Sequence, residues 1–117
     1  MLLKNELHSI GALKGHVPVG GVKIFDRGIA TGATQHFRAS EERSMIAKNY
    51  TNMLQQKGWV LSGSRGISGN EDVVKFCKGT MSLTLDLVSE GEVSTYYYVG
   101  IVWAKYKSDG AYCKADE

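Results

Sequence analysis

The chain has 117 residues, 43% of them hydrophobic and 22% charged, with 14 glycines, one proline and a net charge of +2. That length makes one domain, residues 1–117, able to bury a core without staples. The small charge, with Lys and Arg scattered along the chain, argues against a nucleic-acid partner, and no run approaches the ~20 apolar residues of a membrane-spanning helix.

Residues 1–16 form an arm in which Leu3, Leu7 and Ile10 repeat at helical spacing. The arm reads as a short amphipathic helix, weakened by Gly11 and ended by Gly15. Asn5, Glu6 and His8 interrupt the apolar start too early for a signal peptide, so the chain as it stands reads as soluble. Pro18 forces an extended approach, and Gly20-Gly21 supplies a bend. Val22–Asp26 reads as a first strand and Arg27-Gly28 as a turn. From Ile29 to Ala39, Ala33, Gln35, Phe37 and Ala39 alternate with Thr34, His36 and Arg38, the pattern of a second strand.

A helix is predicted after Ser40, which is expected to cap it, with Glu41 and Glu42 set against the positive end of its dipole. Ile46, Tyr50, Met53 and Leu54 form its apolar stripe, broadened by Met45. Lys57 suits the last turn, and Gly58 supplies the left-handed residue that closes the helix. Trp59 to Ser64 then alternates as a third strand, with Gly66–Asn70 as a loop. Val74 and Phe76 begin a fourth.

Gly79-Thr80 is a two-residue hairpin signal with Gly in first position. It pairs Lys78 with Met81, Phe76 with Leu83 and Val74 with Leu85, so apolar meets apolar on one face. Met81, Leu83, Leu85 and Leu87 point inward. A three-residue loop, Glu90-Gly91-Glu92, leads into a last strand over about Val93–Ala104, setting Leu85 against Tyr97 and Leu83 against Val99. Residues 105–117 are a polar tail. The fold class is α+β: one main helix on a twisted, mainly antiparallel sheet of five to six strands, in the order β-β-α-β-β-β-β.

Several stretches recur together here: LHSIGALKGHVP, NYTNMLQQKGW, CKG before a hairpin, and YYYVGIVW. The chain resembles a family of small, mostly uncharacterised bacterial α+β domains whose helix ends Y-x-x-x-L-x-x-x-G-W, matched by Tyr50, Leu54, Gly58 and Trp59. The resemblance covers about residues 7–104. It implies a bacterial protein, extracytoplasmic if a signal has been removed, and brings no agreed activity. The chain is also similar to orphan proteins carried on mobile gene cassettes.

Chemistry is sparse. His8, His16 and His36 lie in different elements with no ligand spacing, so surface histidines are expected and no metal or cofactor. Cys77 has no histidine in its strand pair to activate it, and Cys77 and Cys113 read as two free thiols, with a single disulfide the alternative in an oxidising compartment. Ser62–Gly69 is Gly-rich but lacks the lysine and helix of a phosphate loop. Asp86 and Glu90 share a face with no third carboxylate in view.

Parity places Tyr96 and Tyr98 on the outward sheet face, with Asp86 beside them and His36 and Arg38 on the second strand. The expected function is therefore a non-enzymatic binding or interaction module using that open face, with a second copy or another protein as partner. The alternative is a small-molecule-binding protein or enzyme with a pocket between helix and sheet near Tyr50, Trp59 and Trp103.

Overall fold

A computed structural model of the chain describes residue 10 and residues 15–26, 30–79, 81–91 and 93–104. The elements are β1 (Val17–Asp26), β2 (Ala30–Ala39), α1 (Arg43–Gln56), β3 (Val60–Ser68), β4 (Glu71–Lys78), β5 (Met81–Gly91) and β6 (Ser94–Ala104). The strands form one sheet in the order β1-β2-β6-β5-β4-β3, and every neighbouring pair is antiparallel. This is the α+β architecture that the strand and helix periods predict. The expected N-terminal helix, the Arg27-Gly28 turn and the polar tail lie outside the described residues, apart from Ile10, which is buried in the core.

The core fills the space between α1 and one sheet face. Ile46, Tyr50 and Leu54 supply the helix stripe, meeting Phe37, Phe76, Leu83, Leu85, Leu87, Tyr97, Val99 and Ile101 in one cluster. Residues two apart on a strand share a face, so the buried set on each strand follows directly from the alternation. Met45 does not broaden the stripe: it is 47% exposed.

The helix starts later than its capping signals suggest. Its N-cap is Glu42, whose side chain makes no cap hydrogen bond, and the first turn holds no acidic residue. Ser40 is not the cap, and Glu41 and Glu42 lie ahead of the first turn rather than in it. The reason is tertiary. The Glu41 side chain bonds to His16, and its backbone carbonyl accepts a hydrogen bond from the Thr95 hydroxyl at 2.7 Å. At the other end Gly58 has φ +92°. Its N–H reaches the Gln55 carbonyl and the Trp59 N–H reaches the Leu54 carbonyl, the paired bonds of a Schellman stop.

The β4–β5 hairpin has the expected register, Lys78 opposite Met81 and Val74 opposite Leu85, with Gly79 at φ +61°. The β5–β6 hairpin differs. Leu85 faces Val99 and Leu87 faces Tyr97, with a bulge between Ser89 and Gly91 and Gly91 paired to Ser94. The register is thus displaced by two residues, which preserves the faces, and Val93 lies in the turn, 61% exposed. Two strands are longer than their hydrophobic pattern. β1 begins at Val17 and passes a bulge between Val19 and Lys23. β3 continues through the expected Gly66–Asn70 loop to Ser68, bulged twice against β4. Both are edge strands, where bulges and glycines cost least and discourage pairing with another edge.

Candidate functional site

The sheet face opposite α1 brings the predicted binding residues together. Tyr98 lies directly across from His36 on β2 and from Asp86 on β5. The His36 ring stacks on Tyr96, with centroids 5.3 Å apart, and sits tilted beside Tyr98 at 5.6 Å. Arg38 lies over the Tyr96 ring, 5.2 Å from its centroid, and donates to Glu90 at 3.0 Å. That bond and the charge of Glu90 raise the guanidinium pKa further. Gly100 makes room for this arrangement: a Cβ there would stand 3.0 Å from the Tyr98 ring and 3.2 Å from Thr34. Tyr96, Tyr98 and His36 are half-buried and Arg38 is exposed.

Asp86 carries the strongest electrostatic perturbation on this face. Burial first, then a hydrogen bond and like-charge repulsion from Glu71, push its carboxyl up to about 6. Its Oδ1 is buried without a hydrogen-bond partner. A third carboxylate therefore does stand near Asp86, contrary to the sequence expectation. Glu71 belongs to a strand whose start the apolar pattern places at Val74.

A second polar group lies on the inner side. His16, expected at the surface, is 8% exposed and joins two partners, Glu41 through Nε2 and the Tyr97 hydroxyl through Nδ1. The Tyr97 hydroxyl continues to that of Tyr50 at 3.0 Å. For a neutral His16 beside a Glu41 carboxylate the bonds run in one order: Tyr50 donates to Tyr97, Tyr97 to His16 Nδ1, and His16 Nε2–H to Glu41. Burial, then the neighbouring Tyr50, raises the Tyr97 pKa well above that of a free phenol. The phenols are 0% and 1% exposed, so the tyrosine end of this chain of acid–base groups is closed to a substrate, while the Glu41 side chain at the other end is 36% exposed.

Of the pocket alternative, Tyr50 and Trp59 are core residues, and the Trp59 Nε1 is buried without a partner. Trp103 packs at the core margin, opposite Met81. A cleft of about 360 Å³ does lie between α1 and the sheet, lined by Ala47, Lys48, Thr51, Leu61 and Arg65 among others. Its walls hold none of those three aromatics. Cys77 is disulfide-bonded, the alternative to the free thiol, which removes it as a nucleophile. The other cysteine of the sequence, Cys113, lies outside the described residues.

Among the described residues no group of three or more His, Cys, Asp or Glu side chains is arranged to hold a metal ion. No helix among them is long and apolar enough to cross a membrane. No family model, curated protein sequence or solved structure matches the chain.

Proposed function

We propose that this protein is a binding module whose outer sheet face docks a protein partner, and that the partner is a second copy of the chain. The observation that carries the reading is the Tyr96–His36–Tyr98 ring cluster, held half-buried on neighbouring strands β2 and β6. Tyrosines fixed in this way lose little conformational entropy on binding and are frequent anchors of interfaces. A two-fold interface requires one patch to be complementary to itself. Here both signs of charge flank the rings, Arg38 on one side and Asp86 with Glu71 on the other.

Sedimentation across the micromolar range tests the proposal. The wild type is expected to form a dimer, and the Tyr96→Ala, Tyr98→Ala variant to sediment as a folded monomer. If that variant unfolds, Arg38→Glu on the exposed rim supplies the same readout with all three rings kept, at the loss of the cation over Tyr96. A wild type that stays monomeric throughout, or a dimer indifferent to all three substitutions, overturns the proposal.

A further inference from the structure

On the opposite side of the sheet from the aromatic face, we propose that the cleft between α1 and the β3–β4 edge binds a small amphipathic anion. The ligand class is an oxyanion, carboxylate or phosphate monoester, carried on a compact apolar body. The site stands independently of the sheet-face reading.

The cleft has the size and the two-part chemistry for such a ligand. At about 360 Å³ it falls at the lower end of small-molecule sites, roughly 300–1,000 Å³. Ala47, Leu61 and Val74 make its apolar wall, and Leu61 is 44% exposed although it shares a face with buried Phe76. An apolar side chain on a core-facing parity that remains open to water is stabilised by any apolar group that covers it.

Two cationic residues line the cleft, Lys48 from the helix and Arg65 from the edge strand, the latter at a register position opposite Val73 and so at the open edge where the two sheet faces meet. Both are exposed. Arg38 and Arg43 are paired with Glu90 and Asp72, whereas neither Lys48 nor Arg65 is paired with a carboxylate among the described residues. Hydroxyls of Ser64 and Thr51 complete the rim, that of Thr51 already donating to the Ala47 carbonyl at 2.7 Å.

The one carboxylate bordering the cleft, Asp72, is already neutralised. Arg43 donates to its Oδ2 at 2.8 Å and fixes the surroundings with further bonds to Ser89 Oγ at 2.7 Å and the Gly69 carbonyl at 2.8 Å. Arg43 therefore acts as a positioning residue that keeps a negative charge from opposing the anion. Gly66 lies opposite Asp72 in register and lines the cleft beside the ion pair.

Titration calorimetry and amide chemical-shift mapping with three probes sharing one body test the proposal: phenyl phosphate, benzoate and the neutral benzyl alcohol. Phenyl phosphate or benzoate is expected to bind, with shifts centred on Ala47–Thr51 and Leu61–Gly66, and benzyl alcohol at least tenfold more weakly. The stronger of the two anions identifies the oxyanion class. Lys48→Gln and Arg65→Gln each lower the affinity about tenfold, the value of a charge-assisted hydrogen bond, and affinity falls with added salt. Both positions are exposed, so the variants retain the fold. The proposal is overturned if neither anion binds at millimolar concentration, if benzyl alcohol binds equally well, or if neither substitution weakens binding.

Discussion

Two histidines of this chain stand beside tyrosines of the same short run, and their surroundings are opposites. Tyr96, Tyr97 and Tyr98 are consecutive on β6, so the pleat sends the middle ring into the core and its neighbours outward. Inside, His16 meets Tyr97 edge to face with centroids 5.4 Å apart, and both nitrogens of His16 and both phenol oxygens are hydrogen-bonded along the line from Glu41 to Tyr50. Outside, His36 stacks on Tyr96 and sits tilted beside Tyr98, and water can satisfy what the protein does not. The same residue types thus serve the fold on one side and present a surface on the other. Solvent access decides which role each takes, because a buried polar atom without a partner is costly and an exposed one is not.

Deleting one oxygen on each side separates these roles most sharply. Tyr97→Phe removes the hydroxyl that joins His16 to Tyr50 and leaves the buried His16 Nδ1 without its partner. The expected loss is about 1–3 kcal/mol of unfolding free energy in urea denaturation. Tyr96→Phe removes an equivalent oxygen from the half-exposed ring and is expected to stay within about 0.5 kcal/mol of wild type. Equal losses at the two positions would mean that the inner chain does not hold the fold as described.

The contrast also separates what was legible in the sequence from what was not. Period and turn chemistry carried the stripe of Ile46, Tyr50 and Leu54, the Gly58 stop, the Gly79 hairpin with its register, and the outward parity of His36, Arg38, Asp86, Tyr96 and Tyr98. Each is a local or nearest-strand relation. The Glu41–His16 pair spans 25 residues and the His16–Tyr97 pair 81, and polar contacts at such separations leave no period in the sequence. That pairing removed Glu41 from the helix start, where local rules placed it. The two-residue displacement of the last hairpin came from a bulge at Ser89–Gly91, which apolar alternation cannot signal because it preserves the faces. The extension of β3 into a Gly-rich run follows from pairing with β4 rather than from any propensity of its own.

On the outer face, His36→Ala is the next test in size. It removes two ring contacts but leaves no buried orphan, so the expected cost is about 0.2–1 kcal/mol per cross-strand pair. The effect on self-association is expected to exceed the effect on folding, since the rings of Tyr96 and Tyr98 lose the partner that holds them apart. A variant that loses stability and keeps full association would assign His36 to the fold, as with His16, and dissolve the distinction between the two faces.

The smallest expected effect is electrostatic and has the opposite sign. The Asp86 carboxyl has a folded-state pKa of about 6, above the usual 3.8, through partial burial and the neighbouring Glu71. Between these values the folded chain holds a proton that the unfolded chain has released. Stability contributed by that proton is therefore present at low pH and is lost as pH rises from about 4 through about 6. The group keeps substantial contact with water, so the slope is shallow. Asp86→Asn keeps the shape, removes the proton dependence, and is expected to melt at or above the wild-type temperature at pH 7 while matching it near pH 4. Thermal melts of both proteins from pH 4 to 7 check this. A wild type that instead gains stability relative to Asp86→Asn on going from pH 4 to 7 would show the carboxylate to be held by a cation. The outer face would then be matched in charge within one molecule, with nothing left at Asp86 for a second copy to complete.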